Sequence, residues 1–196
     1  KAAVAQAQGD LPRASALLTP LLPSADFVGA LKTQVYQAIL ERRPAQVIPR
    51  LKEVLVKPDP ALGFYNGELR FWLGWALEMA GDHAAALESW RQARSELEPL
   101  LKEQPNNHNL IGDLALTNMC LGDKAAALAL AERAMAANPI EKDAITGPSP
   151  IEILARVAAQ MGEPDRAIAA LQKLLSTPYA SPVIRLNVPL TPALLR

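Results

Sequence analysis

The sequence is poor in the residues that carry most enzyme chemistry and most crosslinks. It has one cysteine (Cys120), two histidines and only 5% aromatic residues among 196 positions. A single cysteine excludes an internal disulfide. The 20 basic and 20 acidic side chains cancel, so no long-range field attracts a polyanion, and nucleic acid is not an expected direct partner. No run approaches the roughly 18 apolar residues that span a bilayer, so no membrane insertion is expected.

Alanine and leucine are what the sequence has in abundance, at about a third of all positions. Alanine costs least in a helix and lets neighbouring helices approach closely, and leucine fills the space between them. Half of the chain is hydrophobic, which excludes a disordered protein. The composition therefore predicts an all-α protein with an ordinary buried core.

A glycine followed by an acidic residue recurs along the chain, and an alanine stands five residues after each such glycine. Glycine ends a helix in the left-handed conformation, and an acidic residue favours the start of the next helix. A degenerate copy has Glu41-Arg42-Arg43-Pro44 at the turn. The regular copies are Gly9-Asp10, Gly81-Asp82, Gly122-Asp123 and Gly162-Glu163. The recurrence predicts five helix pairs.

The helix pairs are expected within one domain, 1–176. A capping box, Ser149-Pro150-Ile151-Glu152, is predicted to open the first helix of the last pair. The tail, 177–196, is rich in proline and alternates apolar residues, so it is expected to be extended. We expect it to cap the last pair, with a place in a groove as the alternative. The predicted helices are 1–8, 11–22, 26–42, 45–57, 67–80, 83–103, 107–121, 124–137, 150–161 and 164–176, in units of about 1–24, 25–60, 66–105, 107–139 and 149–176.

The pattern resembles the tetratricopeptide repeat family. Two units carry the resemblance best: Leu73-Gly74, Leu77, Gly81-Asp82, Ala86, Trp90 and Ala93, then Leu114-Ala115, Gly122-Asp123, Ala127, Ala131, Ala134 and Pro139. The resemblance covers Lys1 to Pro178 and implies an α-solenoid, a right-handed superhelix of about five antiparallel helix pairs. The units are near 40 residues long rather than about 34, and Asn118 takes a slot usually given to a large residue. Other α-solenoids of similar unit length stay open.

The family's geometry implies a concave groove lined by the first helices. Phe71 and Trp75 share one helix face, Tyr36 is expected to join them, and a basic residue stands at each end. The competing interpretation is that these aromatic residues fill the space between helices. A carboxylate clamp of the chaperone type is not expected, because the matching slots are mostly apolar. The groove positions that the resemblance implies are Lys32, Tyr36, Phe71, Trp75, Glu78, Leu116, Met119, Glu152 and Arg156.

The sequence has no catalytic groups in a usable arrangement. His83 is expected to be an exposed first-turn residue, His108 to serve in a loop or cap, and Cys120 to be a small buried thiol. No metal-ligand spacing, phosphate-binding loop or nucleophile elbow is present. We therefore expect no enzyme activity, no metal and no cofactor.

The expected function is a non-catalytic scaffold that binds a partner peptide or protein segment in the groove. The alternative is a self-associating (homodimeric) or ligand-sensing regulatory domain. Ser181 to Arg196 resembles the end of repeat regions in large bacterial signalling proteins that carry a kinase, cyclase or winged-helix domain. The single cysteine suits a reducing compartment, so a cytoplasmic location is expected, with a periplasmic one as the alternative if the chain is part of a membrane-anchored regulator.

Overall fold

A computed structural model describes residues 1–19, 28–57 and 59–176. Within these residues the chain forms ten α-helices, two short 3-10 helices and no β-strand, which confirms the all-α prediction. The predicted tail, 177–196, lies outside the described residues. The α-helices are α1 Ala2–Ala7, α2 Leu11–Leu18, α3 Val28–Leu40, α4 Ile48–Val56, α5 Tyr65–Met79, α6 His83–Glu103, α7 His108–Cys120, α8 Lys124–Ala137, α9 Pro148–Gln160 and α10 Pro164–Leu175.

Two predicted helix boundaries need correction. The helix expected over 45–57 is split into a 3-10 turn, Pro44–Gln46, and α4, because Pro49 has no N–H to bond the carbonyl four residues back. The predicted capping box is wrong, since α9 already begins at Pro148 after Gly147 and no side chain caps it. The N–H of Ser149 donates to the Thr146 carbonyl at 3.1 Å instead.

The five predicted turns between paired helices share one hydrogen-bond geometry. In each, the N–H of a residue with positive φ donates to the carbonyl three residues earlier, and the next N–H donates to the carbonyl five residues before it. This is the Schellman closure of a helix. Four of these residues are glycine, and Arg42 (φ 58°) takes the same place in the degenerate copy. The glycines are Gly9, Gly81, Gly122 and Gly162, with φ from 75° to 87°.

In the four regular copies, the acidic residue after the turn directly precedes the second helix of the pair. Asp10, Asp82 and Asp123 each accept the N–H of the residue three positions on, at 3.1–3.2 Å. Glu163 makes no such cap. The alanine that follows four residues later is buried in every regular copy, at Ala14, Ala86, Ala127 and Ala167. The recurring small residue therefore lies in the core.

The described residues divide into two compact units, Lys1–Ser89 and a second that starts at Trp90. In the first unit, α1 contacts α2 and α3, α2 contacts α3, and both α3 and α4 contact α5. In the second unit, α7 contacts α8 and α9, α8 contacts α9, and α9 contacts α10. The paired helices α1 and α2, α7 and α8, and α9 and α10 thus contact each other, and within each unit a first helix also contacts the first helix of the next pair.

A buried amide network joins the first three helices. The Gln6 side-chain amide donates to the Gln37 carbonyl oxygen at 3.0 Å and to the backbone carbonyl of Thr33 at 2.9 Å. The Gln37 amide donates to the Leu11 carbonyl at 3.0 Å and to Glu41 at 2.7 Å. Both glutamines are at most 5% exposed, so these bonds meet the polar needs of groups that water does not reach.

In the second unit α7 and α9 approach each other closely at one glycine. A Cβ placed on Gly112 would lie 2.5 Å from the Cδ1 of Ile153, so a larger residue there would force this side chain to move. Leu110, Ile111 and Val157 are fully buried in the same unit. The core of this unit therefore includes the contact between successive first helices.

Substitutions at the left-handed turn positions Arg42 and Gly122 are expected to change the free energy of unfolding in opposite directions. Arg42→Gly is expected to raise the free energy of unfolding by about 0.5 kcal/mol, since relief of left-handed strain exceeds the added entropy of the unfolded chain. Gly122→Ala is expected to lower it by about 1 kcal/mol. A Cβ at Gly122 would meet no atom within 4 Å, so only the backbone opposes it. Urea unfolding followed by circular dichroism measures both changes.

Ala129→Gly is the matched control, because Ala129 is exposed and lies within α8. Glycine there is expected to cost about 1 kcal/mol. If Arg42→Gly destabilised the protein as much as Ala129→Gly does, the left-handed turn would not be under strain.

Candidate functional site

Four aromatic side chains form a cluster within the first unit. Trp72 lies in edge contact with Tyr36, Phe71 and Trp75, with ring centroids 6.4, 5.7 and 5.6 Å away. Phe71 and Trp75 stack with their centroids 6.1 Å apart. Such pairs add to the stability that their burial provides. The sequence-predicted aromatic strip is thus a contiguous group in which Trp72, absent from the predicted strip, is central.

The four members of this cluster differ in how far their side chains are buried. Tyr36, Phe71 and Trp72 are 1%, 3% and 4% exposed, which differs from the open positions that a groove requires. Trp75 alone among the four is half-buried. The cluster is therefore core on one side, and Trp75 is the member that carries aromatic surface out of it.

Two charged residues of the first unit that were predicted to line the groove, Lys32 and Glu78, each interact with another side chain of the protein. Lys32 on α3 forms an ion pair with Glu68 on α5, and both side chains are largely buried. Glu78, at the end of α5, accepts from His83 Nδ1 at 2.9 Å. This hydrogen bond raises the pKa of His83. The His83 side chain is 69% exposed, as the sequence predicts. Glu68 was not foreseen, because it lies 36 residues from Lys32.

The other predicted groove residues lie in the second unit. Leu116 is buried, Met119 is half-buried, and both lie on α7. On α9, the Arg156 Nε lies 3.2 Å from the Glu152 carboxylate, and both side chains are at most 16% exposed. Burial raises the pKa of Glu152 even though Arg156 opposes the shift. The predicted i, i+4 pair is present, and it is a buried pair rather than a surface one.

A pocket of about 240 Å³ in the second unit was not predicted. It is formed by the end of α8, the loop 138–147, the start of α9, and Lys173 of α10. The Lys173 Nζ lies 3.5 Å from the Glu141 carboxylate. The lining residues are Glu132, Met135, Ala136, Asn138, Pro139, Ile140, Glu141, Gly147, Ile151 and Lys173. The one feature of the sequence that indicated this pocket is the connection between α8 and α9, which is longer than a minimal turn.

Hydrogen bonds hold the loop beside this pocket in one conformation. The Asp143 carboxylate accepts the N–H groups of Ile145 and Thr146, both at 2.9 Å, and the Thr146 hydroxyl. Asn138 donates to that hydroxyl oxygen at 2.9 Å. A Cβ on Gly147 would lie 2.4 Å from the Asp143 carbonyl oxygen, so the loop requires glycine at this position. The pocket wall is therefore a defined structure.

The described part of the chain has neither a metal-binding cluster nor a membrane-spanning helix. No three His, Cys, Asp or Glu side chains there are grouped so that they could hold a metal ion. None of its helices combines the length and the apolar composition needed to cross a bilayer. Cys120 is half-buried at the end of α7, more open than the sequence indicated.

Comparison with known proteins does not place the chain in a family. No family model, no curated protein and no solved structure matches it. The class that the coordinates define is an all-α protein of paired helices closed by a common turn.

The Asp143 turn predicts a specific acid sensitivity. Hydrogen bonds from the Thr146 hydroxyl and from two N–H groups lower the pKa of Asp143. Its contribution to stability is therefore present above the unfolded-state pKa of about 4 and is lost as the pH falls through the lower folded-state pKa. In urea unfolding from pH 7 to pH 2, the stability advantage of wild type over Asp143→Asn should shrink on acidification. The exposed Glu103→Gln serves as the control, and an advantage independent of pH would contradict the assignment.

The buried Glu152–Arg156 pair on α9 predicts that a second substitution restores part of the stability lost through the first. Arg156→Gln leaves the Glu152 carboxylate buried without its counter-charge, and should lower the free energy of unfolding at pH 7 by at least about 1 kcal/mol. Because burial raises the pKa of Glu152, the loss should be smaller at pH 5, where the folded protein takes up the proton more readily. Adding Glu152→Gln should restore part of the stability at pH 7. Equal urea midpoints for the single and double variants would rule out the pairing.

Proposed function

We propose that the chain is an α-solenoid of the tetratricopeptide type that binds a partner peptide or protein segment without catalysis. The observation that carries the proposal is the fivefold recurrence of one turn geometry, with the same pair of hydrogen bonds each time. A unit repeated at this level of detail is the building block of repeat proteins. Sequence alone predicted its positions, including the degenerate copy at Arg42.

The order of helix contacts supports a stacked arrangement within each unit. First helices contact first helices in succession, α1 with α3, α3 with α5, and α7 with α9. The second helices α2, α4 and α8 each contact the first helix that follows them. In a solenoid each repeat contacts only its neighbours in this way, and the first helices line one continuous face.

Trp75 is the residue on which we base partner binding. It lies on the first helix α5, is half-buried, and stacks on a buried aromatic ring. A large side chain whose orientation is already held by its neighbours loses little freedom on binding, and tryptophan is the residue type most often found at binding hot spots. The ion pair of Lys32 with Glu68 joins α3 to α5, the helix that carries Trp75.

A peptide selection tests this proposal. Peptides selected from a displayed random library against the purified chain should bind Trp75→Ala at least about fivefold more weakly, a loss of about 1 kcal/mol. Helix content by circular dichroism should be unchanged, because the variant keeps the buried Tyr36, Phe71 and Trp72. Fluorescence anisotropy of the labelled peptides measures the dissociation constants.

The matched control is Leu87→Ala, an exposed apolar residue on the second helix α6 of the same pair. It should leave the dissociation constants within about twofold, as expected for a residue outside the contact. The proposal fails if no peptide is selected, or if Trp75→Ala and Leu87→Ala weaken binding equally.

A further inference from the structure

The last described helix, α10, has an apolar stripe that the rest of the described chain leaves largely exposed. Ile168 and Leu175 are 52% and 88% exposed, Pro164 is exposed and Leu171 is half-buried. Because they follow one another at spacings of four, three and four residues, the four side chains adjoin on one face of the helix. Adjoining exposed apolar residues, unlike single ones, mark interaction surfaces. We call these four residues the α10 stripe.

The preceding helix pair shows what this face of a second helix packs on. The turns before α8 and α10 lie 40 residues apart, so Leu128 of α8 is the counterpart of Ile168, and Met135 is the counterpart of Leu175. Leu128 is 9% exposed and Met135 is half-buried. The following helix, α9, contacts α8, and its Ile151 lines the same pocket as Met135. Within the described residues no helix follows α10, so the α10 stripe lacks the helix that covers its counterpart.

The two cations of α10 lie on the side of the helix opposite the α10 stripe. This follows from a helical repeat of about 3.6 residues per turn, and Arg166 and Lys173 pair there with Glu132 of α8 and Glu141 of the loop. The stripe itself carries no charge, so a strongly charged partner would gain no ion pair with it. A second copy of the chain would meet it with an equally apolar stripe and without repulsion between like charges.

The α10 stripe is complementary to itself when two copies of α10 run antiparallel. Its spacings of four, three and four residues are the same from either end. A two-fold axis through the centre of the stripe therefore places Ile168 of one copy opposite Leu171 of the other, and Pro164 opposite Leu175. Each large apolar side chain thus meets an apolar side chain.

Two polar residues along one edge of the α10 stripe fit the same arrangement. Asp165 and Gln172 are both exposed, and neither side chain has a hydrogen bond or an ion pair within the described residues. The two-fold axis brings the Asp165 carboxylate of one copy beside the Gln172 amide of the other, and an amide N–H can donate to a carboxylate. Because the axis relates the two copies, this contact occurs twice.

We propose that the α10 stripe is the interface of a homodimer, in which α10 of a second copy packs on it antiparallel. One helix face is small beside the interfaces of stable dimers, which bury at least about 1,200 Å², so the dimer is weak and depends on protein concentration. The interface lies in the second unit and does not involve Trp75, so it does not depend on the proposed partner binding.

Sedimentation equilibrium of the full chain tests the interface. Wild type should show a reversible monomer–dimer equilibrium. Ile168→Glu should raise the dissociation constant of the dimer at least about tenfold, because the dimer would then bury an unpaired carboxylate. The matched control is Ile145→Glu, since Ile145 is 63% exposed and lies in the loop 138–147, and it should leave the dissociation constant unchanged. The circular dichroism of both variants should match that of wild type.

Opposite charges introduced at Gln172 test the antiparallel pairing. Gln172→Lys places an ammonium group beside Asp165 of the other copy and should lower the dissociation constant at least about twofold, whereas Gln172→Glu should raise it by a similar factor. The same two substitutions at Gln46, which is exposed in the first unit, should have no effect.

Three results would overturn the proposal. The chain could remain monomeric up to about 1 mM, Ile168→Glu could dimerise as well as wild type, or both charges at Gln172 could change the dissociation constant in the same direction. A monomeric wild type that loses stability in urea on Ile168→Glu would show instead that the chain covers its own stripe.

Discussion

The structure depends on ending each first helix with a residue in the left-handed conformation. That conformation turns the chain back within two residues while its N–H groups satisfy the last helical carbonyls. In three of the five pairs, the next residue is an aspartate that accepts an N–H of the first turn of the second helix. The five turns therefore share one geometry, and in the four regular copies the alanine that follows is buried in the core.

This regularity determines where the half-buried Trp75 and the pocket beside the loop 138–147 are located. Small residues occupy the turns and the positions where paired helices pack. Large side chains on the first helices therefore pack in the space between neighbouring pairs. In the first unit that space holds Tyr36, Phe71 and Trp72, and it leaves Trp75 half-buried. In the second unit the connection after α8 is longer, and the pocket forms beside it.

The extent of the sequence prediction can be judged from particular residues. The bounds of α6 and α8 were predicted to the residue, because glycine, aspartate and the Asn138-Pro139 stop are local signals. The sequence does not predict the break before α4, because Pro44 also fits the first turn of a continuous helix and the interruption depends on Pro49. The burial of Tyr36 and Phe71 could not be predicted, since a helix that is apolar on nearly all sides does not show which side faces the core.

The sequence by itself determined that the protein is helical, where its turns fall, and which residues close them, because these depend on contacts within a few residues along the chain. Tertiary structure decided which charges distant in sequence are paired, and it formed the pocket beside the loop 138–147. Lys32 finds Glu68 on another helix, and Lys173 finds Glu141 across 32 positions. Such contacts depend on how helices distant in sequence approach each other. No pattern of neighbouring residues specifies how close two such helices come.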